Sequence, residues 1–475
     1  MSAGGDATAI VDEEMAEAHE RFDIPVIAYG LVHEGHVVHM SAVASPGHCD
    51  VGPMTRFRVS SLTKSVTAAT VLLLADRGLL DVRRPVSDVL PWATCLRWQG
   101  NQAILIDHLL TMTSGLPADD PWVDEWDDLQ PDQLARMLAD DARLVRPPGS
   151  KYEYSNVGFA LLGQIISAVT GVDYRDVVAA EILDPIGMHA TGFDVPDVMN
   201  RVVGHRVIDG ELVPTVDEIP LGAFAPSGGL WSCAYDVALW IASLESAAAG
   251  EPSPLPAHVV RELIAPRVVI RLDTRLMASE GSVTAQNYAH GLHAPEYSDI
   301  GRVIAHQGGS PGFGADMRWH PLTRWGVVAM GNRGYALVQA PSRRSLHRIV
   351  GPIVDDAMAV ATERSLLPAT RKAIDWAESL LAHWDDREFE RLASSTLDRQ
   401  MPRQVREDLF ARVATQRGPF ARDQTSLESV SPTHARWRMR GERGDAWLDI
   451  LLTPAGEPRV QHLALLDDPG DSRIW

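Results

Sequence analysis

The sequence predicts a mixed α/β (α+β) chain. An antiparallel sheet flanked by helices carries an inserted helical region, and a small C-terminal α+β domain follows. Three observations predict it. Strand-like runs occur early, at Pro25–Ala44, and again late, at Val303–His306, Asp316–His320 and Trp325–Met330, so distant segments can complete one sheet. Between them apolar residues recur mostly at helical spacing. After Ser365–Pro368 the composition shifts, and two helical patterns precede four strand-like runs. At 475 residues the chain exceeds one ordinary domain. We assign residues 1–364 to a first domain and 369–475 to a second.

Taken in order, the first twenty residues are polar and acidic. They lack a basic segment and an apolar core, so no signal peptide is expected. Glu34-Gly35 stands where a hairpin turn belongs between two strands. Thr55–Val59 is a short β-like run leading into a helix over Ser61–Leu80, apolar at Val66, Ala69, Val71, Leu72 and Leu73 and closed by Gly78. Ile104–Met112 reads as helix, and Asp119–Asp132 as a Pro- and acid-rich loop. Gly158–Val169 is a helix ended by Gly171. Pro220–Leu230 reads as loop, Trp231–Leu244 as helix, and Arg343–Ala361 as a helix lying on the sheet. In the second domain Ala369–Trp384 and Pro402–Gln416 are amphipathic helices. Ser426–Val430, His434–Arg440, Ala446–Leu452 and Arg459–Leu465 are strands.

Composition excludes several classes. The chain is 45% hydrophobic and 22% charged, as ordinary soluble proteins are. Its net charge of −20 repels nucleic acid and anionic membranes, so neither is an expected partner. No apolar run approaches spanning length. Cys49, Cys95 and Cys233 are far apart and odd in number, which suggests neither a disulfide framework nor a zinc knuckle. A cytoplasmic protein is expected.

Three short motifs carry the chemistry: Ser61-Leu62-Thr63-Lys64, Tyr154-Ser155-Asn156 and His306-Gln307-Gly308. Residues i and i+3 share a helix face, so the Ser61 hydroxyl and the Lys64 amine can touch. A serine is a weak nucleophile until a neighbour takes its proton, and a lysine does so only when neutral. Ser60 has Thr63 at i+3, which leaves Ser61 the better nucleophile. A phenol such as Tyr154 can relay a proton, and Asn156 can donate to and accept from a peptide-like substrate. The third motif is expected to supply an electropositive strand, with Gly308 and Gly309 admitting a substrate backbone. Backbone N–H groups of Ser61 and Gly309 would then face the oxyanion. Singly, each motif also fits an exposed turn, a core tyrosine or a structural histidine. Together they form a set of parts for acyl transfer through a serine ester.

With its flanks, the set resembles the serine β-lactamase and penicillin-recognising superfamily, in the branch of class C β-lactamases, D-Ala-D-Ala carboxypeptidases and family VIII esterases. The likeness runs from about Ile24 to about Val360. It rests on Phe57–Lys64, Leu109–Gly115, Pro148–Asn156, Leu161–Gly163, Leu183–Met188, Gly228–Ser232 and His306–Gly308. It implies a β-lactamase/transpeptidase-like fold, Ser61 as nucleophile, Lys64 as base, Tyr154 as proton shuttle, and Asn156, His306, Gly308, Gly309 and Trp231 as substrate-binding residues. It implies no metal or organic cofactor. One departure matters: Lys-Thr-Gly is replaced by His-Gln-Gly, and histidine is mostly neutral at pH 7. β-Lactam carboxylates should bind weakly, which points to ester, thioester or amide substrates.

Two rival readings follow from the resemblance. Penicillin-binding-protein-type thioesterases, which macrocyclise nonribosomal peptides from a carrier, share a His third motif and an added C-terminal domain. The substrate would then be a carrier-bound peptide thioester rather than a free small molecule or peptide. A penicillin-binding-like sensor would acylate slowly or not at all. The second domain more loosely resembles cystatin/NTF2-like or lipocalin-like appendages. Other features have plainer readings. His33, His36 and His39 cluster on a predicted hairpin, which argues against zinc. The acidic loop Asp119–Asp128 is expected to be solvated, with Trp122 and Trp126 as candidate pocket walls. Cys233 is expected to be a buried structural thiol.

Overall fold

The computed structural model describes residues 3–47, 51–99, 101–120, 126, 128–141, 143–215, 221–272, 283–335, 337–454 and 457–467. Cys49 and Trp122, and with Trp122 most of the acidic loop, lie outside them. The chain divides into two compact units, Met1–Pro352 and Ile353–Trp475.

In the first unit, the acidic N-terminal stretch forms helix α1 (Ala3–Arg21). Strands β1 (Val26–His33) and β2 (His36–Ala44) are joined at Glu34 and Gly35, whose φ angles of 50° and 73° are those of the primed hairpin turns. β3 (Arg56–Arg58) leads through a tight turn into α2 (Thr63–Asp76). Next come α3 (Asn156–Thr170), β4 (Trp231–Cys233) and α4 (Ala234–Ala249). The late strands are β5 (Ile304–Ser310), β6 (Phe313–His320) and β7 (Trp325–Gly331). They complete one antiparallel sheet in the order β5-β6-β7-β1-β2. β1 pairs β7 from Ile27 opposite Gly331 to His33 opposite Trp325, so the start of the chain closes against strands from far along it. β6 and β7 are buried throughout, which is why they read as continuous rather than alternating apolar runs.

α4 packs against β1, β2 and β7, and α2 packs against α3. Thr63–Leu74 of α2 is buried on every side, so this helix is central and lacks a polar stripe. That burial places Lys64 in the core. Among the described residues no single helix is long and apolar enough to cross a membrane.

The structure differs from the sequence reading at short elements. The helix expected from Trp231 starts at Ala234, and Trp231–Cys233 is instead β4, paired with β3 with Trp231 opposite Arg58. Three residues are too few to show period two, and Cys233 caps the helix by accepting from the Asp236 N–H. The Pro220–Leu230 loop contains a helical turn, Ala225–Gly228. The Ile104–Met112 helix shrinks to Ile106–Leu110, since Met112 adopts φ 58°.

The second unit carries helices Pro368–Ala382, Asp386–Leu392, Ser395–Gln400 and Arg403–Arg417. The second and third were not expected, being too short to show helical periodicity. Its antiparallel sheet runs Phe420–Arg422, His434–Gly441, Ala446–Leu452, Val460–Leu466, with Glu428–Ser431 also pairing the second strand. Trp376, Phe389, Phe410, Trp437 and Ile450 fill its own core.

Candidate active site

The serine lies on a strained turn. Ser60–Leu62 is a single 3₁₀ turn ahead of α2, and Ser60 has φ 49°, a left-handed conformation that costs a non-glycine residue on the order of 1–3 kcal/mol. The surroundings hold it there. Ser60 Oγ donates to Ser310 Oγ of β5 at 2.9 Å, and Thr63 Oγ1 donates to the Ser60 carbonyl at 2.7 Å. The Val59 N–H donates to the Leu230 carbonyl at 3.1 Å. β5 presses directly on this turn: a Cβ on Gly308 would stand 2.1 Å from the Val59 carbonyl oxygen. Gly308 therefore makes room for the chain's own backbone, rather than for a substrate as expected.

Lys64 and Tyr154 converge on Ser61. Lys64 Nζ is 3.1 Å from Ser61 Oγ, and the Tyr154 hydroxyl donates to the same oxygen at 2.9 Å. Lys64 Nζ also donates to Asn156 Oδ1 and to the Ser227 carbonyl, both at 2.7 Å. Both partners only accept here, so a neutral amine spends its two N–H groups on them. Its lone pair is then left pointing at Ser61. Lys64 is fully buried, and burial pushes its pKa down from 10.5 to about 7, against the opposing pull of Asp119 and Asp120. Burial pushes the Tyr154 phenol up, with Asp119 and Asp120 acting in the same direction, so it stays protonated and able to donate.

The third motif is neutral. His306 is buried, and its Nδ1 donates to the Gln307 carbonyl at 2.8 Å, which leaves Nε2 as an acceptor with no partner among the described residues. Desolvation, followed by His293 and Lys64, holds His306 well below the usual imidazole range. His293, with its ring 5.2 Å away, is held at about 4 by burial and by Lys64. The electropositive strand expected from the sequence is thus corrected: this wall offers an acceptor without charge.

Ser61, Tyr154, His293 and His306 line a cavity of about 660 Å³ that also takes in Asp119, Asp120, Tyr152, Asn156, Gln307, Gly308, Gly309 and Tyr335. Hollows of about 730 and 700 Å³ elsewhere contain no comparable nucleophile and base. Gly309 faces Tyr335, whose ring would lie 2.7 Å from an added Cβ. Asn156 reaches the cavity with both ends of its amide engaged, Oδ1 by Lys64 and Nδ2 by the Asp119 carbonyl at 2.9 Å. Trp231 is not brought to the cavity. It is 1% exposed, edge-on to Phe313 and beneath the Arg201 guanidinium, because it belongs to β4 rather than to an exposed helix start.

Sequence reasoning missed Asp119, Tyr152, His293 and the Ser227 carbonyl. By sequence alone Asp119 belongs to an acidic loop expected to be solvated. His293 joins the site through backbone pairing with Ala305 at 2.8 and 2.9 Å, which no motif records. The N-terminal histidines separate: His33 stacks on Trp325, His36 meets the Glu34 carbonyl, and His39 meets Asp12. Trp126 stacks on Phe224, and burial pushes the Cys233 thiol up to about 12.

The Beta-lactamase family model matches residues 9–351. The chain belongs to this family. Among curated relatives, Protein flp of Staphylococcus aureus (strain COL) is 26% identical over 288 residues, covering 59% of this chain and 53% of the relative. The human Putative beta-lactamase-like 1 is 28% identical over 333 residues, 68% of this chain and 60% of the relative. The chain thus spans little more than half the length of these curated relatives. Solved structures share the fold. A penicillin-binding protein homologue from Pyrococcus abyssi, described as octameric, has a TM-score of 0.60 at 19% identity over 96% of this chain and 94% of its own. EstCE1, a hydrolase with promiscuous acyltransferase activity, has 0.61 at 20% over 73% and 99%. A D-stereospecific amidohydrolase from Streptomyces sp. has 0.57 at 20% over 72% and 97%.

Proposed function

We propose that this β-lactamase-family chain is a serine hydrolase or acyltransferase that works through an acyl-enzyme on an ester, thioester or amide. The observation that carries this is the buried Lys64 amine, 3.1 Å from Ser61 Oγ and held by the Asn156 and Ser227 carbonyl oxygens at 2.7 Å. Ser61 Oγ adds to the substrate carbonyl as its proton passes to Lys64. Backbone N–H groups of Ser61 and Gly309 face the resulting oxyanion. As the intermediate collapses, Tyr154 hands a proton to the leaving group and is reprotonated through Lys64. Water, or an amine or alcohol, then takes the acyl group and frees Ser61.

Neutral His306 sets the substrate class. With no charge on this wall, uncharged acyl donors are favoured over carboxylate-bearing β-lactams. Transfer to an amine, including macrocyclisation of a carrier-bound peptide, is the second reading. It draws on the same neutral wall and on the acyltransferase activity described for EstCE1. A cytoplasmic setting suits it. The test is turnover of p-nitrophenyl esters beside nitrocefin and a peptide thioester with a free N-terminus. Ester turnover with little nitrocefin hydrolysis is expected. Nitrocefin rates rivalling the esters would refute the substrate class, and only linear acid from the thioesters would remove cyclisation.

A further inference from the structure

Asp119 lies outside the three motifs, and no step above uses it. Its Oδ1 accepts from Ser155 Oγ at 2.9 Å and from the Asn156 N–H at 2.8 Å, while the Val157 N–H lies 3.3 Å from Oδ2. Ser155 in turn caps α3, its Oγ accepting from the Gly158 N–H at 3.2 Å. One carboxylate thus collects the free donors at the start of the helix that carries Asn156. Every described partner of that carboxylate is a donor, as suits an anion, and these donors and Lys64 oppose the burial that raises its pKa.

The backbone of the same residue sets the amide. The Asp119 carbonyl accepts from Asn156 Nδ2 at 2.9 Å, which forces Oδ1 to the other side, where it accepts from Lys64 at 2.7 Å. A flipped amide would turn its N–H groups on the Lys64 amine and lose both bonds. The chain of contacts runs Asp119, Asn156, Lys64, Ser61.

We propose that Asp119 is a positioning residue for the proton transfer from Ser61, acting through Asn156 on the place and charge of the Lys64 amine. The proposal rests on the acyl-enzyme reading above. The groups facing Lys64 are Ser61, the Tyr154 phenol, the Asn156 amide oxygen, the Phe159 ring, the Ser227 carbonyl, His293, His306, Asp119 and Asp120. The two imidazoles and the phenol are uncharged at neutral pH, which leaves Asp119 and Asp120 as the described charges acting on the amine, both favouring its protonated form. Asp119 therefore works against the deprotonation that burial promotes.

The test measures kcat and KM of the full chain against pH with p-nitrophenyl acetate, for wild type, Asp119→Asn and Asp119→Ala. Asparagine keeps an oxygen for the helix donors and caps nearly as well as aspartate. It is expected to leave KM unchanged and to move the acid limb of kcat down by roughly one pH unit, the size an opposite charge commonly exerts. Alanine also frees the helix start and is expected to lower kcat by up to about 100-fold with little change in KM. An acid limb in Asp119→Asn that superimposes on that of wild type overturns the proposal, and so does a wild-type kcat in Asp119→Ala. If Asp119→Ala fails to fold, the Asn profile decides alone. Fluorophosphonate labelling of wild type separates the two levels. No adduct on Ser61 refutes the acyl-enzyme reading itself, whereas an adduct with an unmoved Asn profile refutes only the role of Asp119.

Discussion

Replacing Lys64 with methionine should expose the cost of keeping a lysine neutral in the core. Folded Lys64 loses its proton near pH 7, but an unfolded lysine holds it to about 10.5. Between those values the unfolded chain binds more protons, so this group's burden on stability is full below pH 7, shrinks as pH rises, and vanishes above 10.5. At roughly 1.36 kcal/mol per pH unit, the burden is on the order of 5 kcal/mol at pH 6 and about 1 kcal/mol at pH 10. Lys64→Met has no such group. It leaves Asn156 Oδ1 and the Ser227 carbonyl without their donor, which costs about 1–3 kcal/mol each at any pH and cancels when two pH values are compared. Urea unfolding of both proteins at pH 6 and pH 10 should therefore show wild type gaining about 4 kcal/mol on the variant. A difference that is flat to within about 1 kcal/mol would mean that Lys64 stays protonated in the fold, and the base assignment would fall.

Activity should follow the same proton. kcat/KM for a p-nitrophenyl ester is expected to fall about tenfold per pH unit below an inflection near 7; a flat profile down to pH 5 would contradict this. Gly308→Ala places a methyl against the Val59 carbonyl, so overpacking of about 1–3 kcal/mol and slower acylation are expected; unchanged melting and labelling would show that β5 does not press on the serine turn. A chain ending at Leu366 is expected to remain acylable by a small activated ester, because every described group that meets Ser61 lies before it; a folded chain that cannot be acylated would place a catalytic group in the second unit.

Much of the site was legible because its chemistry uses residue types at fixed spacing. Ser61 and Lys64 sit one turn apart, and Tyr154 and Asn156 flank the start of one helix. The five-stranded sheet was legible because its strands are long and bounded by turns such as Glu34-Gly35. What escaped depends on tertiary contact. Asp119 looks like any acid in an acidic loop until α3 places its donors around it. His293 reaches the site through two backbone bonds to Ala305. Gly308 suggested room for a ligand, but that room is filled by the Val59 carbonyl. Trp231 differs because a three-residue strand has no readable period, and only the resemblance placed it among the substrate-binding residues. The histidine of the third motif announced a weaker charge than lysine, yet only its burial beside His293 and Lys64 removes that charge altogether.

Covalent labelling tests the central claim most directly. Wild type treated with a fluorophosphonate should gain a single adduct by intact-protein mass spectrometry, mapped by peptide sequencing to Ser61, and Ser61→Ala should gain none. Full labelling of Ser61→Ala, or an adduct on any other residue of the wild type, would contradict it.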